Sequence, residues 1–173
     1  MLGMPRQTRK NKVEKIEHHH LLLRMETLIC PLEGDKAKAK TLLETIVHDV
    51  NMKLLGEARV YYVVNPHYNE GLTAIAPIQT SHIAFHFWRN PDHKIFQNKE
   101  SKCLLEFDLY TCGTLSPKQI SKILHHMTHF GPTHVNATVL NRNHGLKIDR
   151  QLIWDKTLNT ASYPNWVDKV CNK

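Results

Sequence analysis

A chain of 173 residues with a hydrophobic fraction of 41% has the size and apolar content of one ordinary domain. Its 23 Lys and Arg against 16 Asp and Glu give a formal net charge of +7, with 13 histidines uncounted. No apolar run approaches the ~20 residues that span a bilayer, and Leu21–Leu23 is too short for a signal-peptide core, so no membrane partner is expected and the basic balance must be judged from where it lies.

Residues 1–17 hold much of the basic excess, in "MLGMPRQTRKNKVEK", with few large apolar side chains, and are expected to be a disordered tail. No aromatic-interleaved basic face follows, so nucleic acid is not an expected partner. "HHHLLLRMETLI" (18–29) reads as a strand. Its neighbours point to opposite faces, so His18, His19 and His20 are not expected to converge on a metal. Pro31 and Gly34 break the chain. Asp35 is placed as the N-cap of a helix over 36–55, whose Leu42, Leu43, Ile46, Val50 and Leu54 share one face, and Gly56 is placed at its end.

Residues 58–64 read as a strand, "NPHYNEG" as a turn, and 72–78 as a second strand. Pro77 there removes a ladder donor and predicts an edge, a bulge or a strand end. In "HIAFHFW", Ile83, Phe85 and Phe87 alternate with His82, Ala84 and His86, the pattern of a half-buried strand. A polar loop (89–102) joins it to the strand "CLLEFDLYT" (103–111) in a long-looped hairpin. Ser116 caps a helix begun by Pro117 and stopped by Gly131 and Pro132. Residues 133–140 read as the last strand, and 141–173 as a C-terminal extension whose Trp154, Tyr163 and Trp166 are expected to pack. His125 and His129 are spaced i,i+4 without a third ligand, which suits a solvated helix face. Cys30, Cys103, Cys112 and Cys171 show no CxxC spacing and are expected to be reduced thiols in a cytoplasmic protein. The order of elements predicts an α+β fold: a two-layer α/β sandwich, mostly antiparallel, with helices on one face.

Ser81 heads the "HIAFHFW" strand, with His82 and His86 as candidate bases and Thr73 offering a hydroxyl from the adjoining strand. A serine hydroxyl is a weak nucleophile until activated. Attack on the carbonyl of Thr80 would move the acyl group from nitrogen to oxygen. Elimination of the resulting ester would break the chain, and hydrolysis would leave a pyruvoyl group. That chemistry needs a strained or well-held peptide, an oxyanion donor and a base. On spacing alone, a serine making a local hydrogen bond at a strand end explains the pattern better.

"TSHIAFHFW" followed by "FDLYTCG" resembles the bacterial type of S-adenosylmethionine decarboxylase, through Ser81, His82, Ile83, His86, Trp88, Asp108, Thr111, Cys112 and Gly113. "HHLLLRM" resembles that family's opening strand, and the resemblance covers residues 18–140. It implies a self-processing, pyruvoyl-dependent decarboxylase of polyamine biosynthesis, with S-adenosylmethionine as the default substrate. By this resemblance the chain is cut between Thr80 and Ser81, and Ser81 becomes the pyruvoyl cofactor, an electron sink for the substrate amine. Thr73 and His86 serve processing, Cys112 protonates the product carbanion, and Trp88 and Asn90 lie in the substrate site. A homodimer in which both chains build each active site is also implied. Four features depart from the family pattern. Thr80 replaces a glutamate, Asn90 replaces the glutamate expected to hold the ribose hydroxyls, Arg24 replaces an acidic residue, and the 89–102 loop is longer. They leave two alternatives: a relative that decarboxylates ornithine or arginine, and an uncleaved binding or regulatory homologue.

Overall fold

The computed structural model describes residues 16–65 and 70–171; most of the basic tail and the centre of the "NPHYNEG" turn lie outside these residues. Among these residues, seven strands form one sheet: β1 (His19–Thr27), β2 (Arg59–Val63), β3 (Gly71–Ile78), β4 (Ser81–Trp88), β5 (Cys103–Thr111), β6 (Pro132–Asn141) and β7 (Lys147–Asp155). Their order is β2-β3-β4-β5-β1-β6-β7, and every neighbouring pair is antiparallel. Among the described residues, three α-helices accompany the sheet: α1 (Lys36–Asp49), α2 (Pro117–His126) and α3 (Tyr163–Cys171). This is the α+β sandwich with an antiparallel sheet that the sequence predicts.

Period-2 alternation decides which face each side chain joins. Leu21, Leu23 and Met25 of β1, Ile83, Phe85 and Phe87 of β4, and Leu105, Phe107 and Leu109 of β5 are buried in one core. Leu43, Ile46 and Val47 of α1, Ile120 and Ile123 of α2, and Val167 of α3 complete it from the helical layer. The residues between them in sequence, His20, Leu22, His82, His86, Glu106 and Asp108, take the other face.

Local signals hold at some boundaries and yield to others. Ser116 and Gln119 make the reciprocal capping box expected at α2, with Ser116 Oγ accepting from Gln119 N–H at 3.3 Å and Ser116 N–H donating to Gln119 Oε1 at 2.8 Å. Asp35 precedes α1 as expected, but its carboxylate accepts from the Leu32 N–H at 2.9 Å rather than from the helix. The helix ends at Asp49, not at Gly56. Asn51 takes a left-handed conformation (φ 56°), and the amides of Asn51 and Met52 donate to His48 and Val47 carbonyls. Asparagine tolerates that conformation, so it closes the helix a turn and a half early. Pro77 sits in β3 beyond the end of β2, where its carbonyl accepts from the Leu55 N–H at 3.0 Å and no ladder donor is missed.

Two findings were not legible in the sequence. Cys30 and Cys103 are not free thiols; they form a disulfide, with Cα atoms 5.8 Å apart. The chain turns back after β1 and returns Cys30 beside Cys103, across a sequence separation of 73 that spacing rules do not see. The sheet also continues past residue 140. β7 pairs with β6, and α3 packs Trp166 and Val167 into the core, with Trp154 against Tyr163 and Tyr163 against Trp166. The three aromatics do pack, as expected.

The long 89–102 loop is anchored by Glu26, which is fully buried on β1. Its carboxylate accepts from Gln97 N–H (2.7 Å), Asn98 N–H (2.9 Å) and Ser101 Oγ (2.9 Å). Removing it strands buried donors that each lose about 1–3 kcal/mol of compensation. Glu26→Ala is therefore expected to lower unfolding stability by about 3 kcal/mol, read as a shift of the urea midpoint; an unchanged midpoint would refute this anchoring.

Candidate active site

The antiparallel register lines up side chains in rows across the face opposite the helices. One row runs Tyr61, Thr73, His86, Glu106, Arg24, Asn136, across six strands. The next row carries Ile75, Ala84, Asp108, Leu22 and Thr138, and a third carries His82, Tyr110 and His20. Thr73, His86, Trp88, Arg24, Glu106 and Asp108 line an open cavity of about 500 Å³ on this face.

Ser81 stands at the first position of β4, just after the two-residue turn Gln79–Thr80. Its φ is 146°, a region that non-glycine residues enter at a strain of about 1–3 kcal/mol. The Thr80 carbonyl, which belongs to the peptide preceding Ser81, accepts from the Cys112 N–H at 2.9 Å. Thr111 pairs directly with Ser81, and its hydroxyl accepts from the Gly113 N–H at 3.0 Å, shaping the turn that presents Cys112. Cys112 is half-buried and free. Ser81 Oγ lies 3.1 Å from His82 Nδ1.

A second cluster surrounds His86. Its Nδ1 is hydrogen-bonded to the Thr73 hydroxyl, its ring lies 3.9 Å from that of Trp88, and its Nε2 is buried with no hydrogen-bond partner among the described residues. Burial holds the imidazole below its usual range, against the opposing pull of Glu106, and so keeps it neutral at pH 7. Thr73 and His86, each expected from the sequence to act on Ser81, are thus hydrogen-bonded to one another. This pair does not form beside Ser81. His86 is five residues further along β4, about 17 Å away at ~3.4 Å per residue.

Asn90 is exposed, and its amide donates to Glu70 Oε2 at 3.4 Å. Glu70 also accepts from the Tyr62 hydroxyl (2.7 Å) and from Arg89 (2.9 Å). The Tyr62 hydrogen bond, and then Arg89, hold its carboxyl below the usual range. A carboxylate therefore stands beside Asn90. Arg24 spans from Glu106 (3.5 Å) to the Ile95 carbonyl (3.0 Å), so it ties that loop to the cavity.

Of the three consecutive histidines, His18 and His20 share one face beside Tyr110, with His18 bonded to the Tyr110 hydroxyl and His20 to Asp108, while His19 turns to the Gly113 carbonyl. Sequence reasoning gave no role to Asp108, His20 or Glu70. Asp108 and His20 had a signal, since each has the outward phase of its strand, but the strand order that joins them did not. Glu70 lay hidden in a turn.

No curated protein matches the chain. The family model described as S-adenosylmethionine decarboxylase matches residues 20–143, which run from β1 through β6 and include both clusters. With well over half of its length matched and its Ser81 and Cys112 brought together at one strained peptide, the chain belongs to the S-adenosylmethionine decarboxylase family.

Proposed function

We propose that the chain is a self-processing, pyruvoyl-dependent decarboxylase that acts on S-adenosylmethionine as a homodimer. The observation that carries this reading is the Thr80–Ser81 peptide, strained at Ser81 (φ 146°) with its carbonyl held at 2.9 Å by the Cys112 amide. An N–H donor at that oxygen stabilises the charge that develops when a hydroxyl attacks the carbonyl carbon. The acyl shift uses the carbonyl of residue 80 and not its side chain, so a threonine there is compatible with cleavage. The Ser81-derived pyruvoyl group would supply an electron sink for loss of carbon dioxide. The residues around it would position the substrate and return a proton from Cys112.

The split between the two clusters supports the dimer. The helix-free face exposes Tyr61, Ile75, Leu22 and Ile153 around the polar rows. Packing this face on that of a second copy would cover them. It would also bring one chain's Thr73 and His86 toward the other's Ser81, which a single chain holds about 17 Å apart.

We assign the ribose hydroxyls of the substrate to Glu70, beside Asn90, with Trp88 as the neighbouring ring. A carboxylate accepts both hydroxyls, whereas the Asn90 amide already faces Glu70 as a donor. Glu70→Gln is expected to raise KM for S-adenosylmethionine about tenfold, the loss of one charge-assisted bond. An unchanged KM would remove Glu70 from the substrate site.

The test of the whole reading is the intact mass of the wild-type protein together with carbon dioxide release from carboxyl-labelled S-adenosylmethionine. Two fragments divided between Thr80 and Ser81, the second beginning with a pyruvoyl group, and release of label are expected. A chain that stays whole after long incubation would overturn it.

A further inference from the structure

We propose that His82, aligned by Asp108, is the base that activates the Ser81 hydroxyl in the acyl shift; this rests on the self-processing reading. His86 cannot serve that step within its own chain, being about five strand residues, or ~17 Å, from Ser81. His82 is next to Ser81 in space as well as in sequence, with Nδ1 3.1 Å from Oγ.

The surroundings of His82 fix which nitrogen is free to accept. Asp108 Oδ1 lies 3.1 Å from His82 Nε2. A lone pair facing a carboxylate at that distance is repulsive, so Nε2 carries the proton and Nδ1 is left as the acceptor for Ser81. The contact is electrostatic rather than a formed hydrogen bond: Oδ1 is buried and has no hydrogen-bond partner among the described residues. Oδ2 is already engaged, taking the His20 Nε2 proton at 2.6 Å. His20 in turn presents Nδ1 to the Arg142 guanidinium at 3.2 Å, which fixes its own tautomer. Asp108 is therefore held from behind with one oxygen uncommitted beside His82. That oxygen stabilises positive charge on the imidazole as it forms, and a small turn of either ring completes the hydrogen bond.

The step balances without a co-reactant. The Ser81 hydroxyl proton passes to His82 Nδ1 as Oγ bonds to the Thr80 carbonyl carbon. The carbonyl oxygen takes the negative charge opposite the Cys112 N–H. The Thr80 carbon–Ser81 nitrogen bond then breaks, and His82 returns the proton to the leaving nitrogen. An amide and a hydroxyl become an ester and an amine. Removal of the Ser81 α-proton comes afterwards and is a separate task for a separate base. His82 would be a catalytic residue of processing, and Asp108 a positioning residue.

The order of the two steps makes the test. Hydroxylamine cleaves esters but not ordinary amides, so it splits a chain arrested after the shift and spares one arrested before it. In His82→Ala, cleavage is expected to slow by about 10²-fold or more, with no hydroxylamine-sensitive ester. His86→Ala is expected to accumulate that ester. Asp108→Asn, which keeps the side chain's shape, is expected to slow cleavage at least tenfold, also before the ester; it guards against a His82→Ala chain that fails to fold. Wild-type cleavage with His82→Ala or Asp108→Asn cutting at the wild-type rate overturns the proposal alone. So does ester accumulation in His82→Ala, which would put His82 after the shift. A wild-type chain that never cleaves overturns the self-processing reading and this proposal with it.

Discussion

The Ser81→Ala chain is expected to stay in one piece under conditions in which the wild-type chain is cut to completion between Thr80 and Ser81. The substitution deletes one oxygen atom from a half-buried side chain. The hydrophobic core, the Thr80–Cys112 hydrogen bond and the strand register do not depend on it. The nucleophile does, and among the described residues no other hydroxyl occupies its place: the neighbouring Thr80 Oγ1 is buried with no hydrogen-bond partner among them and cannot attack its own carbonyl to make a usable ester. The effect should therefore be all-or-none by mass spectrometry. The same chain still carries Thr73 and His86. Co-expressed with His86→Ala, it should restore cleavage of the His86→Ala chain if the two faces pack on each other. Cleavage of Ser81→Ala at residue 80 would remove the serine from the chemistry. Absence of rescue with a normal dimer would put His86 in its own chain's site.

Cys112→Ala is expected to be processed at near the wild-type rate and to lose about 10²–10⁴-fold in turnover, the usual contribution of a positioned proton donor. On the proposed mechanism the two functions separate because they would use different atoms of one residue. Cleavage would use the backbone N–H, which alanine keeps, at 2.9 Å from the Thr80 carbonyl. Turnover would use the thiol, which alanine lacks. The loss should fall on kcat rather than on KM, since a group that acts after carbon dioxide leaves adds little to substrate binding. Processed Cys112→Ala that turns over like wild type would assign the proton to another group. Failure to process would mean that the side chain, and not the amide, supports the shift.

Much of this site is written in local order along the chain. Ser81, His82 and His86 share one strand, and Cys112 follows the next strand in sequence. Period-2 alternation, the hairpin between β4 and β5 and the capped start of α2 follow from residues close together, where geometry depends on nearest neighbours. Those signals specified the antiparallel sandwich and marked Ser81 as a residue to explain. They did not specify the C-terminal elements. β7 is short of strong alternation, and its exposed Ile148 and Ile153 gain a partner only where β6 lies beside it.

Tertiary structure decided the rest, because its determinants are separated by most of the chain. Strand order sets β5 and β6 on either side of β1, and only that order brings Asp108 to His20 and His20 to Arg142, 88 and 122 residues apart. The same sheet closes the Cys30–Cys103 disulfide and places the Glu70 carboxylate against Asn90. The positive φ of Ser81 arises where a two-residue turn must feed β4 into register with β3 and β5 together, so it belongs to the assembled sheet. The sequence by itself determined which reactive side chains the strands carry and which face of a strand each takes, since both follow from residue type and a period of two. Which of them meet, and that Ser81 and His86 of one chain do not, was decided by register and strand order, which pack the whole core at once and have no local signature.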